Sequence, residues 1–243
     1  MPQAAIQPTS TYRERVPALY GPSYASDYPG LYLTAWPAKH ALNLEVLDGL
    51  LAQFGPDPRW IDIACGQGWH FSQFHGRARM TGLDLSQAQL ARARAATPDA
   101  DFICGDMAET QFAPASFDLL TNFWGGYCYL ADREAIAALW RRVLGWIAPG
   151  GALYVELLLA EDLASFNRSG FAGKTGFSVM SRGSDFMEWA YEDSAGLHIM
   201  TSPPLSEALD IFGPAFRSVD VRHDGRFMTH VVAQGRLGDT IIA

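Results

Sequence analysis

The sequence predicts an α/β fold, a doubly wound and mostly parallel sheet of seven strands with an antiparallel insertion. Three observations lead there. Between residues 59 and 159, short apolar runs alternate with segments of helical spacing. Beyond residue 160 the grammar changes to short aromatic and β-branched runs separated by turn residues. A glycine-rich turn, Cys65-Gly66-Gln67-Gly68, joins the first apolar run to a helix start. That is the half-unit on which doubly wound sheets bind nucleotide-like ligands.

Composition narrows the function. The chain has 243 residues, 49% hydrophobic and 18% charged, enough for one large core. A net charge of −8, with Lys39 and Lys174 as the only lysines, excludes a phosphate-backbone reader. Cys65, Cys104 and Cys128 make no metal-ligand pair and no disulfide framework, so no metal site is expected. No charged leader and no run of about 18 apolar residues occurs. The expectation is a cytoplasmic protein that meets neither membrane nor nucleic acid.

In chain order, residues 1–18 show no periodicity and are expected to be loose. Tyr20, Tyr24, Tyr28 and Tyr32 recur every four residues, but Pro22, Pro29 and two glycines interrupt any long helix. They read either as packing or as a lid whose phenols meet a ligand. Leu42, Val46, Leu47, Leu50, Leu51 and Phe54 predict a helix over 39–54, stopped by Gly55-Pro56. Strand one is expected at 59–64, a helix at 69–76 and strand two at 79–84. Ser86 caps a helix running to about Pro98, and strands three and four follow at 102–106 and 116–123. Asp132 caps the next helix, which Pro149-Gly150-Gly151 ends before strand five at 152–159. Segments at 177–181, 185–191 and 197–201 read as an antiparallel meander. A helix at 204–212 and two strands at 216–222 and 227–234, turning at Asp224-Gly225, complete the order, with one of the last pair antiparallel to the rest.

Taken together these pieces resemble the class I S-adenosylmethionine-dependent methyltransferases. Asp62-Ile-Ala-Cys-Gly-Gln-Gly is similar to the family's first motif, with Ala64 in place of its first glycine. An alanine there argues against a positive φ, so a slightly different turn is expected. Asp84 stands 22 residues after Asp62 and Asp106 another 22 on. The resemblance puts Asp84 on the ribose hydroxyls and Asp106-Met107 on the adenine. It implies cofactor contacts from Asp62, Ala64, Cys65, Gly66, Gln67, Gly68, Asp84, Leu85, Asp106, Met107, Asn122 and Phe123. The implied cofactor is S-adenosyl-L-methionine, leaving S-adenosyl-L-homocysteine. A nicotinamide fingerprint needs a small residue where Phe71 stands, which disfavours a dehydrogenase.

The strand-four exit, Asn122-Phe-Trp-Gly-Gly-Tyr-Cys-Tyr129, lacks the Asn-Pro-Pro-Tyr type of step of nucleic-acid and protein amino-methylating enzymes. With the acidic charge, this points to a small-molecule acceptor methylated on O, N or C, such as a secondary metabolite. The exit resembles a Phe-Gly-Tyr step, so Tyr127 is expected to face the pocket, and Tyr24 and Tyr127 are the candidate catalytic residues. Tyr20, Tyr28, Trp124, Trp189 and His198 are candidate acceptor contacts. His70, His198, His223 and His230 are candidate bases, none preferred. The expected division is a lid at 1–38, a core at 39–160 and 203–236, and a substrate cover at 161–202. The rival readings are a family member that binds the cofactor without transferring methyl, and a nucleotide or nicotinamide enzyme.

Overall fold

The computed structural model describes residues 11–34, 36–166, 179–182, 187–223 and 228–238. A seven-stranded sheet runs in the order β3-β2-β1-β4-β5-β10-β9. Its parallel part is β1 (Arg59–Ile63), β2 (Arg79–Asp84), β3 (Asp101–Cys104), β4 (Phe117–Asn122) and β5 (Ile147–Leu157). β9 (Phe216–His223) and β10 (Thr229–Arg236) pair with each other, and β10 lies antiparallel to β5. The expected turn at Asp224-Gly225 lies outside the described residues.

Burial explains why the sheet is doubly wound. Ile61, Ile63, Leu120, Leu153 and Val155 pack toward α6 (Arg133–Trp146) and α8 (Leu205–Phe212). Trp60, Leu119 and Tyr154 face the other way, among residues of α3 (Pro37–Leu51) and α4 (Trp69–Ser72). Alternating side chains thus fill both faces, as a parallel sheet requires. Phe71 is fully buried edge-on to Trp60, ring centroids 4.7 Å apart. α5 (Gln87–Ala96) is capped by Ser86 Oγ, which accepts from Gln89 N at 3.2 Å. Asp132 likewise caps α6, accepting from Ala135 N at 2.8 Å. Helix α6 ends at Trp146, so β5 begins at Ile147 and runs through Pro149-Gly150-Gly151.

Residues 12–18 are not loose. They form most of α1 (Tyr12–Leu19), started by a capping box in which Glu14 Oε2 accepts from Thr11 N at 2.9 Å. α2 (Pro22–Tyr28) has Pro22 in its first turn, where the missing N–H costs nothing, and a π-helical turn follows at Pro29–Leu33. The tyrosine segment is therefore two short helices and a wide turn. After β5 come α7 (Ala160–Phe166) and an antiparallel three-stranded sheet of β6 (Val179–Ser181), β7 (Glu188–Asp193) and β8 (Gly196–Thr201). The part of the expected meander before residue 179 lies outside the described residues.

Candidate active site

The carboxyl ends of β1, β2 and β4 open into a cavity of about 150 Å³, where ligands of open α/β sheets bind. Its floor includes Ala64, Gly66, Asp84, Leu85 and Phe123; Gly105, Asp106 and Met107 close one end. Tyr12, Tyr20, Tyr28 and Tyr32 roof it, and Trp189, Tyr191 and Met200 of the small sheet form the far wall.

The floor is a strained turn. Ala64 has φ 55°, so the expectation that alanine would avoid a positive φ is overturned. Gly66 (φ 55°) and Gly68 (φ 66°) are also left-handed. Neighbours hold the alanine in place: a Cβ added at Gly126 would come within 2.5 Å of Ala64 Cβ, so the two chain segments touch. Asp84 ties the turn down. Its carboxylate accepts from Gly66 N and from Ser86 N, both at 2.8 Å, and burial still raises its pKa.

Several candidates build the turn from behind and do not line the cavity. Asp62 is buried, accepts from Thr121 Oγ1 at 2.7 Å, and is pushed well up in pKa by burial. Asn122 Nδ2 donates to Ile63 O at 2.7 Å, and Gln67 Nε2 donates to Ala25 O at 2.6 Å. Cys65 packs against Gly82, and Gly68 against the Phe102 ring. Ala64, Gly66, Asp84, Leu85, Asp106, Met107 and Phe123 do reach the wall.

Asp106 is already engaged. Its Oδ2 accepts from Tyr12 OH and Arg13 Nε, each at 2.6 Å, and its Oδ1 from Ala108 N at 2.8 Å. Burial, reinforced by Asp106, pushes the Tyr12 phenol up to about 12. Helix α1 is thereby fastened across one end of the cavity.

Tyr127 does not face the cavity. It is fully buried 5.0 Å from the Trp140 ring, and its hydroxyl accepts from Leu158 N at 3.2 Å. The 3₁₀ turn Gly126–Tyr129 points Tyr127 toward α6 and puts Tyr129 on the wall instead. Tyr24 also stands one layer behind, its hydroxyl donating to Asp193 and lying 3.2 Å from that of Tyr32. Of the acceptor candidates, Tyr20, Tyr28, Trp124 and Trp189 line the cavity and His198 does not.

His198 instead forms a buried chain. Its Nε2 lies 3.0 Å from Asp193 Oδ1 and its Nδ1 2.6 Å from Tyr129 OH. A carboxylate only accepts, so Nε2 carries the hydrogen and Nδ1 accepts from Tyr129. Burial opposes ionisation of Asp193, but hydrogen bonds from His198 and Tyr24 bring its pKa below the usual value. Tyr191 stacks on the His198 ring at 4.2 Å and 7°. The other histidines lie elsewhere: His70 stacks on Phe123, His223 meets Asp162, and His230 meets Tyr154.

A second buried network supports the β4 exit. Lys39 and Glu156 pair at 2.7 Å with both side chains fully buried, and Glu156 Oε2 accepts from Trp124 N at 2.7 Å. Asn43 donates to both Tyr154 and Glu156. Burial raises the Glu156 pKa, but Lys39, His230 and the Trp124 backbone N–H together bring it below the usual value.

Gln89 was invisible to sequence reasoning. It lies on the cavity wall, buried, and neither atom of its side-chain amide has a hydrogen-bond partner among the described residues. Such an orphan is expensive unless a ligand meets it.

Residues 61–151 match the family model of a methyltransferase domain. A dTDP-3-amino-3,4,6-trideoxy-alpha-D-glucopyranose N,N-dimethyltransferase of Streptomyces venezuelae is 27% identical over 57% of this chain and 58% of its own length. A phthiotriol/phenolphthiotriol dimycocerosates methyltransferase of Mycobacterium tuberculosis is 30% identical over 44% of this chain and 40% of its own. The chain thus matches about half the length of these curated relatives. Among solved structures, DhpI in complex with SAH superposes with a TM-score of 0.66 at 15% identity, covering 95% of this chain and 99% of that one. A SAM-bound amino pentose methyltransferase from Micromonospora echinaspora gives 0.57 at 19% identity, covering 84% and 96%.

Proposed function

We propose that this chain, a class I S-adenosylmethionine-dependent methyltransferase by its fold and by the domain at residues 61–151, transfers a methyl group to a small molecule held under the tyrosine roof. The observation that carries the reading is the cavity where the strained turn, Asp84 and the unpartnered Gln89 amide meet. These residues fit the cofactor. Asp84 keeps lone pairs for a vicinal diol after accepting two backbone N–H groups, and Gln89 offers a donor and an acceptor to a polar ring or hydroxyl. A Cβ on Gly66 would stand 3.7 Å from the Tyr28 hydroxyl, an ordinary contact, so the glycine serves the left-handed turn (φ 55°). When bound, S-adenosylmethionine supplies an electrophilic sulfonium methyl whose C–S electron pair leaves with sulfur.

The chain's own work is alignment, exclusion of water and removal of a proton. Residues 1–38 are the lid and 161–202 the cover in this reading, with Tyr20, Tyr28, Tyr32 and Trp189 lining the acceptor's place. Tyr129 is the group that meets the acceptor's proton. Its oxygen takes that proton while its own passes to His198 Nδ1, and the Asp193 carboxylate stabilises the imidazolium. Tyr24 holds Asp193 in place. The proton then rests on a histidine paired with a carboxylate, and no free tyrosinate is needed.

Calorimetry with S-adenosylhomocysteine tests the cofactor, and mass spectrometry of the ligand that co-purifies tests it independently. One-to-one binding is expected. Formation of S-adenosylhomocysteine on adding fractionated small-molecule extracts separates transfer from mere binding. No binding, or binding without product from any fraction, would remove the transferase reading.

A further inference from the structure

The charge of the acceptor is written in the same wall. Tyr28 and Tyr32 stack at 4.8 Å, Tyr32 meets Trp124 edge-on at 5.3 Å, and Tyr20 meets Tyr129 edge-on at 6.0 Å. Trp189 and Tyr191 complete the wall from β7, their rings 5.9 Å apart. Many of the hydroxyls are spent on one another, Tyr20 with Tyr129 at 3.0 Å and Tyr32 with Tyr191 at 3.2 Å. Apart from the Tyr129 oxygen, what this wall offers a ligand is ring surface.

Among the described residues, no lysine, arginine or histidine lines the cavity; its ionisable acids are Asp84 and Asp106, with Asp193 just behind. Lys39, 4.0 Å from the Trp124 ring, belongs to the buried pair with Glu156. Arg13 is matched by Asp106 and Glu109. An anion entering here would lose its water and find no countercharge, whereas a cation gains from the ring quadrupoles.

We propose that the acceptor is an amine, received by this chamber as its ammonium ion. The proposal rests on the methyl-transfer reading and names its substrate class. Deprotonation follows the route above. The N–H bond breaks, its proton goes to the Tyr129 oxygen, and the Tyr129 proton goes to His198 Nδ1. The freed nitrogen pair forms the bond to the methyl carbon as the C–S pair withdraws onto sulfur. The neutral sulfide and the methylated ammonium that result carry the same total charge as the sulfonium and the amine.

The test uses the full chain loaded with S-adenosylhomocysteine, whose own binding is measured first. Benzyltrimethylammonium is titrated against its uncharged isostere neopentylbenzene and against phenylacetate, by tryptophan fluorescence and calorimetry. The cation is expected to bind at least about tenfold more tightly than the isostere, with phenylacetate weakest. Tyr32→Leu and Tyr191→Leu should weaken the cation about five- to tenfold, while Tyr32→Phe and Tyr191→Phe, which keep the ring, stay within about twofold. Equal affinity for cation and isostere overturns the proposal in favour of a neutral aromatic acceptor, and absence of cation binding also overturns it. In the unloaded protein, displacement of the cation by S-adenosylhomocysteine would assign the rings to the cofactor's own place and would likewise overturn it. If S-adenosylhomocysteine does not bind, the methyl-transfer reading fails, and the cation series on the unloaded protein still decides for or against the cage.

Discussion

Gln89 and Asp84 separate ligand binding from stability at the level of single side chains. Replacing Gln89 by Met keeps the side chain's length and removes two unpartnered polar atoms. The cofactor-free protein should gain about 1 kcal/mol while affinity for S-adenosylhomocysteine falls about tenfold. Thermal melting and calorimetry read the two effects, and a change of the same sign in both would show that the amide only packs. Asp84→Ala should lose about 2–4 kcal/mol of cofactor affinity, with Asp84→Asn milder because one acceptor oxygen survives. Unchanged affinity would sink the assignment. The two residues differ in how visible they were. Asp84 ends an apolar run at a regular interval from Asp62, a position that chain geometry marks. Gln89 sits in an alanine- and arginine-rich helix where glutamine is ordinary, so only the packing reveals it. Ala64 misled for a third reason, since tertiary contacts hold a conformation that its local preference opposes.

Elements with a repeating pattern were legible, and those of one or two turns were not. β1, β2, β4, β5 and α6 announce themselves because buried positions repeat along several residues, whereas β3 at the sheet's edge is largely exposed. The Gly126–Tyr129 turn is too short to have a period, which is why Tyr127 and Tyr129 were exchanged. Helix α1 was missed although its signal, Thr11 followed by Glu14, lies in the sequence; Pro17 and the weak apolar face masked it. That helix now carries a prediction. Tyr12→Phe with Arg13→Ala removes its two side-chain holds on Asp106. Amide exchange across residues 12–19 should quicken while β1 to β5 keep their protection. In the unaltered protein, loading with S-adenosylhomocysteine should alter exchange over 12–34. Identical exchange in both comparisons would mean that the segment packs without acting as a lid.

Two buried histidines should weaken the folded molecule in mild acid, against the raised Asp62 and Asp84 carboxyls, which act in the opposite sense. His70 is buried against Phe123, and burial, then Lys39 and His40, hold its pKa well below the ordinary value. His40 is shifted the same way, first by burial. In the unfolded chain both take a proton near pH 6.5, and in the folded chain they resist it. The unfolded state therefore binds more protons below about pH 6.5, and stability falls as pH drops. The slope from each histidine approaches about 1.4 kcal/mol per pH unit until its folded pKa is reached. Urea unfolding at pH 7.5 and 5.5 should show this contribution as a difference, His70→Gln losing less stability than the parent on acidification. An equal loss in the variant would place the effect elsewhere. The overall architecture that sets these environments, including the reversed strand at the sheet's end, followed from the order of patterns along the chain.

The hydrogen bond between Tyr24 and Asp193 joins positions separated by 169 residues. On a ribosome, the tyrosine segment emerges early and Asp193 late. At about 5–20 residues per second, the roof waits roughly ten to thirty seconds for its wall. During that interval the β1–turn–β2 unit can already pair, while four tyrosines and Trp36 have nothing to close upon. The chamber thus closes late, and the nascent chain passes through a stage with a formed glycine turn and an open aromatic flap. Chaperone contacts during synthesis should concentrate on that flap.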